Sequence, residues 1–201
     1  EEAMEMDLVA ALMPLPGNEH AVELQITLRP HKNAKSVALG KTNFGLLAVR
    51  VAKTLTVHFG GGTIRDSEGR TGEANIFGQA SRWMDYSGPI AVGSGPARKP
   101  VTEGITCFDH PDNPGSPAKW HVREDGWMGA SVCRDTGLTV TREQPLTFRY
   151  LLHAHAGAYD HDQAQMLQTA FAKRPGFTIG KGRRRHRQYE VGRTGSEQPA
   201  R

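Results

Sequence analysis

The stretch GITCFDHPDNPGSPAKWHVREDGWMG, residues 104–129, places two imidazoles on either side of a proline-rich loop. His110 ends an apolar run, whereas His121 and Arg123 lie two residues apart on the returning segment and so share one face of a strand. A histidine can transfer a proton near neutral pH, and an arginine can bind a carboxylate or a pair of hydroxyls. The pattern is typical of a cleft that does acid/base chemistry. The alternative is a well-capped turn between two strands, with structural histidines.

A second candidate is the segment RWMDYSGP, which comes just before a Gly-Pro turn. On a strand, Trp83 and Asp85 lie on one face and Tyr86 lies on the other. Such a face can stack a sugar ring while the carboxylate accepts hydrogen bonds from hydroxyls. The alternative is a core tryptophan beside an aspartate that caps the turn.

A third candidate is RYLLHAHAGAYDHD, in which Arg149, His153 and His155 have the same parity. His153 and His155 could bind a metal from one sheet face, but the sequence has no H-E-x-x-H or comparable spacing. It also lacks a GxSxG elbow, a P-loop and a GxGxxG motif. We therefore predict no metal and no cofactor.

The segments that carry these residues repeat with a period of two. In HAVELQITLRP, apolar residues from Val22 to Leu28 alternate with polar ones, which indicates a half-buried strand. FGLLAVRVA predicts a strand that is covered on both faces, and TLTVHF predicts another alternating strand. Turn signals recur throughout, which is typical of an all-β antiparallel β-sandwich.

One helix and a tail complete the predicted organisation. DHDQAQMLQTAFAKR predicts a short C-terminal helix that Asp160 or Asp162 caps and that Pro175 follows. From residue 180 the chain has almost no apolar content, which predicts a basic disordered tail at 180–201 after a sandwich domain at 1–179. The tail could bind nucleic acid weakly, and the alternative is a solvated segment.

Charge and composition limit the remaining classes of function. Residues 173–201 carry nine Lys/Arg and two acidic residues, whereas residues 1–172 have a net charge of −3. The basicity therefore belongs to the tail, and nucleic acid is not expected as a partner of the domain. No apolar run approaches the roughly 18 residues of a membrane span, and no export signal is visible, so we expect a soluble chain, with the cytoplasm favoured. Cys107 and Cys133 lie in no CxxC motif and are expected to be free thiols.

Taken together, the segments NFGLLAVRVA, RWMDYSGP, GITCFDHPDNPGSPAKWHVREDGWMG and LTFRYLLHAHAG resemble the bacterial PmoA-like family. The resemblance runs from about Leu24 to about Gly157. Although the family is often labelled methane oxygenase, it is a domain of unknown function. The membrane methane monooxygenase subunit of that name consists of transmembrane helices, for which this chain has no segment, so methane oxidation is not expected. The resemblance implies a galactose-mutarotase-like sandwich and carbohydrate chemistry.

The same resemblance implies that the sandwich is incomplete at its N-terminus, because family members carry a longer segment before the strand at Phe44. We expect a carbohydrate or sugar-derived ligand, acted on by epimerisation, elimination or hydrolysis. The alternatives are a non-catalytic carbohydrate-binding module and a truncated, inactive family member. The expected catalytic residues are His110 and His121, and the expected substrate-binding residues are Arg50, Trp83, Asp85, Asn113, Trp120 and Arg123.

Overall fold

The computed structural model describes residues 4–195, which fold mostly into antiparallel strands. The strands are β1 (Met4–Pro14), β2 (His20–Pro30), β3 (Ser36–Leu39), β4 (Ala48–Arg50), β5 (Thr63–Asp66), β6 (Trp83–Val92), β7 (Lys99–Asp109), β8 (Lys119–Arg123), β9 (Trp127–Ser131), β10 (Leu138–Thr141), β11 (Leu146–Ala156), β12 (Phe177–Lys181) and β13 (Tyr189–Arg193). The helices are α1 (Val57–Gly60), α2 (Glu73–Ile76) and α3 (His161–Ala172). No helix in the described part of the chain is long and apolar enough to cross a membrane.

Two sheets form the sandwich. The large sheet has the order β1-β2-β11-β7-β6-β5, and the small sheet has the order β4-β9-β8. The pairs β3–β10 and β12–β13 form two additional ribbons. Every pairing is antiparallel, which confirms the predicted fold class.

The main core lies between the two sheets. Trp120 and Val122 from the small sheet are fully buried there, together with Tyr86 and Phe148 from the large sheet. Alternate residues of each strand therefore point into one shared layer, as the period of two predicts. Cys107 also lies in this core, and both cysteines are free thiols.

Helix α3 covers the middle of the opposite face of the large sheet. Its Ala164 and Phe171 pack on Trp83, Phe108 and Leu151 and form a second, smaller core. The helix begins where predicted, because the Asp160 side chain accepts a hydrogen bond from the Gln163 amide at 3.0 Å. The predicted short C-terminal helix is confirmed.

Two predicted strands differ from the structure. TLTVHF is helical rather than extended, because the Thr56 hydroxyl caps α1 by accepting a hydrogen bond from the Phe59 amide at 3.0 Å. The FGLLAVRVA strand shrinks to Ala48–Arg50, and Arg50 is exposed rather than covered. The predicted strand was too long because part of the apolar run lies in the loop before the strand.

The predicted tail also differs from the structure within residues 180–195, because β12 and β13 form a hairpin that docks on the large sheet. The Gln25 amide makes two hydrogen bonds, of 2.7 and 2.8 Å, to the Phe177 backbone. The Arg193 guanidinium lies 3.8 Å from the centroid of the Phe177 ring and makes two hydrogen bonds to the Glu23 carboxylate. Charge pairing thus anchors a segment that has little apolar surface to bury. Residues 196–201 of the predicted tail lie outside the described residues.

Glu23 ties this hairpin to the sheet and should make stability depend on pH. Burial alone would raise the pKa of its carboxyl, but hydrogen bonds from Arg193, Arg149 and Arg174 outweigh burial and lower that pKa from 4.5 to about 2. The stabilisation is therefore complete above pH 4.5 and is lost as the pH falls toward 2. We expect Glu23→Gln to remove about 3 kcal/mol of pH-dependent stability.

Urea denaturation at a series of pH values from 7 to 3 measures this effect. The unfolding free energy of the wild type should fall more steeply with acid than that of Glu23→Gln. Parallel curves for the two proteins would contradict the assignment.

Candidate functional site

The small sheet presents an outer face that points away from the core. Since Trp120 and Val122 face inward, the pleat turns His121 and Arg123 outward. Cross-strand pairing then aligns Arg50, Trp127 and Arg123 in one row, and aligns His121 with Gly129 in the next. Three residues expected from the sequence, Arg50, His121 and Arg123, therefore meet on this face.

Three aromatic rings enclose the His121 side chain. Its ring centroid lies 5.0 Å from Phe44, 5.1 Å from Phe77 and 6.4 Å from Trp127. Its Nδ1 lies 3.2 Å from the Asn43 carbonyl oxygen, which also accepts a hydrogen bond from the Ser131 hydroxyl. A carbonyl can only accept, so in the neutral ring Nδ1 carries the proton and Nε2 carries a lone pair. Within residues 4–195, Nε2 has no hydrogen-bond partner, and this atom is suited to remove a proton.

Asp125 holds the two arginines of the outer face. The Arg50 guanidinium lies 3.6 Å from one carboxylate oxygen, and Arg123 Nε lies 3.5 Å from the other. The arginine side chains are 54% and 56% exposed, and each guanidinium has more donors than Asp125 can engage. Arg50 also lies over the Trp127 ring, at 5.5 Å from its centroid. The pair can therefore bind an anion or hydroxyls while the loop carboxylate fixes their position.

Two aromatic residues of this face were not predicted as site residues. Phe44 is 60% exposed, and Trp127 lies partly exposed against it with ring centroids 6.4 Å apart. Trp127 belongs to the segment at 104–129 and pairs with exposed Arg123 on the neighbouring strand. Its position just after the turn that follows Arg123 was the signal that could have identified it. The sequence prediction named Trp83 and Trp120 as the stacking residues and did not include Trp127.

His110 lies elsewhere, on the α3 side of the large sheet. It is fully buried, its ring packs edge-on against Phe171, and Nε2 lies 2.9 Å from Arg149 Nη1. The Asp112 amide also donates to Nδ1 at 3.1 Å, so hydrogen-bond donors face both ring nitrogens, and the neutral ring, which keeps one acceptor nitrogen, is favoured over the imidazolium. Burial and the neighbouring Arg149 charge lower the pKa of His110 and favour this neutral form. No described contact joins His110 to the outer face of the small sheet.

Asn113 holds the loop after His110 in place. Its amide nitrogen donates to Asp109 Oδ1 at 2.7 Å and to the Arg149 carbonyl at 2.8 Å, and its oxygen accepts from the Arg149 amide at 2.6 Å. Asp109 also accepts from the Ala118 amide at 3.0 Å, which fixes the far end of the loop. The polar atoms of Asn113 are thus occupied by the protein itself.

The other expected residues are also internal. Trp83 is fully buried, donates to the Tyr159 hydroxyl at 3.0 Å and packs on Phe108 under α3. Trp120 is fully buried in the main core and donates to the Ser81 carbonyl at 2.8 Å. Asp85 lies on the α3 side of the large sheet and bonds to His155 at 2.8 Å. The structure therefore divides the expected residues between two faces and two cores.

His153 and His155, the weak metal candidates, bond to different carboxylates. His153 Nε2 lies 2.8 Å from Glu19, and His155 Nε2 lies 2.8 Å from Asp85. Within residues 4–195 there is no group of three or more His, Cys, Asp or Glu side chains that could hold a metal ion.

Comparison with known families adds one finding. A family of unknown function, DUF6807, matches residues 6–169. The chain belongs to this family. The DUF6807 region includes Arg50, His121, Arg123 and Trp127, so the outer face is part of the family domain. No curated protein and no solved structure is similar enough to count as a match.

The hydrogen bonds of Asn113 predict a structural role for this residue. Asn113→Ala leaves buried partners on Asp109 and Arg149 unsatisfied, so we expect a loss of about 2–4 kcal/mol in unfolding free energy by urea denaturation. The matched control is Asn33→Ala at an exposed position, which should change stability by less than about 0.5 kcal/mol. A stable Asn113→Ala protein would argue against this role.

Proposed function

We propose that this DUF6807 chain binds a carbohydrate that carries a carboxylate, and that it does so on the outer face of the small sheet. The observation that carries the proposal is the placement of Arg50, His121 and Arg123 on one outer face beside Phe44 and Trp127, with the two arginines exposed and His121 buried behind the rings. Three of the residues that we expected from the sequence to bind or act on a sugar therefore belong to the proposed site. His110 has no part in this proposal.

The aromatic rings supply the surface for a sugar ring. A pyranose presents C–H groups that pack on an aromatic face, and Trp127 and Phe44 offer such faces at the protein surface. Gly129 has no side chain to crowd the rings, and a Cβ at this position would lie 3.4 Å from Trp127 Nε1 and 3.2 Å from the Ala48 Cβ. Trp127 Nε1 is buried with no hydrogen-bond partner among the described residues, so packing and the Arg50 guanidinium over the ring hold Trp127 in place.

The charge of the face favours an anionic ligand. Arg50 and Arg123 share one carboxylate, Asp125, and the Arg134 guanidinium lies nearby, 4.5 Å from the centroid of the Phe77 ring. The guanidinium groups of Arg50 and Arg123 keep donors that Asp125 does not engage. Guanidinium groups bind carboxylates through paired hydrogen bonds, so a uronate group is the natural complement.

His121 gives the face one base. Its Nε2 would take the proton from the carbon next to the uronate carboxylate, and the C–H electron pair would move toward that carboxylate. The arginines would stabilise the negative charge that develops there. The electron pair would then expel the oxygen substituent on the following carbon, which would leave with a proton from the imidazolium. This elimination needs a single imidazole, which is what the face offers.

A binding module without catalysis is the second candidate. It is favoured by the enclosure of His121, which is only 6% exposed behind Phe44 and Phe77. The two candidates share the arginines and the aromatic rings, and they differ only in whether Nε2 reaches a substrate proton.

Substitution of Arg50 and Arg123 tests the proposed binding of a uronate. Arg50→Met and Arg123→Met should each weaken binding of D-glucuronate and of uronate oligosaccharides about tenfold or more, because each removes charge-assisted hydrogen bonds. Binding of neutral D-glucose should change much less. Calorimetric titration measures both affinities, and Arg98→Met, at an exposed position outside the proposed site, is the matched control. Equal affinity of all variants for glucuronate would contradict the proposed site.

His121→Gln separates the enzyme from the binding module. If His121 is the base, this variant should keep its affinity for a uronate oligosaccharide. Its rate of forming the unsaturated product, measured by absorbance, should fall at least about a hundredfold. His58→Gln, at an exposed histidine, is the control. Binding without any turnover by the wild type would leave the module as the function.

A further inference from the structure

We infer that the chain has a second ligand site, a cavity of about 190 Å³ on the α3 side of the large sheet that fits a neutral polyhydroxylated molecule the size of a monosaccharide. Its polar wall is built by two cross-strand rows. One row aligns Arg65, Asp85, Thr106 and His153, and the other aligns Thr63, Ser87, Gly104 and His155. Thr63, Arg65, Asp85 and Ser87 line the cavity.

Gly104 allows the two rows to interact across β7. A Cβ at this position would lie 2.5 Å from the His155 ring and 2.6 Å from the Ser87 hydroxyl. The absence of a side chain lets the His155 ring, which starts on β11, reach the Asp85 carboxylate on β6. The arrangement therefore depends on a glycine in the interior of a strand, where glycine is otherwise unfavourable.

Asp85 is fully buried and held in one orientation. One carboxylate oxygen accepts from His155 Nε2 and Thr106 Oγ1, both at 2.8 Å, and the other accepts from the Ser87 hydroxyl. The Asp85 side chain is only 1% exposed, so it holds Ser87, Thr106 and His155 in place and does not itself offer an oxygen to a ligand. Because Ser87 donates to the carboxylate and not to an imidazole, the group is not a serine nucleophile with its base.

The charge of Asp85 is compensated within the protein. Burial alone would lower the pKa of His155, but its hydrogen bonds to Asp85 and to the Ala156 backbone outweigh burial and raise that pKa. The neighbouring His153 has a lowered pKa because of burial, which its hydrogen bond to Glu19 only partly offsets. The His155 ring lies 2.8 Å from the Asp85 carboxylate and its raised pKa favours the imidazolium, so the two groups can balance each other within the protein.

The remaining lining residues define the class of ligand. Thr63, Ser87 and Thr102 carry hydroxyls, which can donate and accept hydrogen bonds, and Arg65 adds donors at the exposed edge. The Tyr159 hydroxyl already binds Trp83 and His161, so this residue offers mainly its ring. A wall of hydroxyls, with one aromatic ring and arginine donors at its edge, matches an uncharged sugar with several hydroxyls.

Saturation-transfer NMR with a mixture of D-glucose, D-galactose, D-mannose, D-xylose and myo-inositol tests the cavity. At least one of these compounds should receive saturation from the wild type. The double variant Thr63→Val/Ser87→Ala should weaken its binding about tenfold through the loss of two hydrogen-bonding hydroxyls. Thr139→Val, at an exposed strand threonine on β10, should bind as the wild type does. Circular dichroism checks that each variant is folded, and Arg65→Met gives an independent variant at the exposed edge.

Three outcomes would overturn the inference. One is that no compound in the mixture receives saturation from the folded wild type. Another is that the double variant and Arg65→Met bind as strongly as the wild type. If Trp127→Ala alone abolishes the signal, the sugar lies on the outer face of the small sheet, so the cavity site is excluded and the proposed function still stands. If the outer face fails to bind a uronate, the test of the cavity with neutral sugars is unaffected, because the two sites are probed with different ligands and variants.

Discussion

The packing of Trp120 and Val122 of β8 against the large sheet determines where the polar residues of this chain can lie. Both side chains are fully buried in the main core, so the pleat turns Lys119, His121 and Arg123 to the opposite face. The partner strands repeat this arrangement, with Met128 inward and Trp127 outward on β9. The outer face is therefore a geometric consequence of filling the shared core. A change that reversed β8 would move the bulky indole to solvent and the imidazole into the core.

The large sheet is covered differently, and this explains its buried charges. Helix α3 covers only the middle of its second face, where Trp83, Phe108 and Leu151 meet Phe171. Beyond the helix, one end holds Glu23 with its three arginines and the other holds Asp85 with His155. These buried ions are paired and hydrogen-bonded, as the cost of removing a charge from water requires. The same sheet face thus combines an apolar centre with two polar ends.

The sequence predicts the sandwich because strand periodicity is a local property. The alternation in HAVELQITLRP identifies β2, and Asp160 identifies the start of α3. Parity also predicts correctly that His121 and Arg123 share a face and that Trp83 and Asp85 share another. Parity cannot say which face is covered, and here helix α3, far along the chain, buries Trp83. For that reason two buried tryptophans were expected at the site in place of Trp127.

Contacts between distant strands are the part that the sequence could not supply. The bond between Asp85 and His155 needs the register of β6, β7 and β11 together with the missing side chain at Gly104. Docking of the basic hairpin needs Glu23 to be buried beside Arg193, although the segment itself has the composition of a disordered tail. In both cases a polar residue is stabilised by a partner that no local pattern identifies.

The central claim, that the core-directed pleat of β8 creates a ligand face from Arg50, His121 and Arg123, can be tested by NMR on protein with ¹⁵N-labelled histidine and arginine side chains. On addition of D-glucuronate, we expect shifts at His121 Nε2 and at the Nε atoms of Arg50 and Arg123, while the His110 and His155 rings stay unchanged. Shifts at His110 or His155 with none on the outer face would contradict the account.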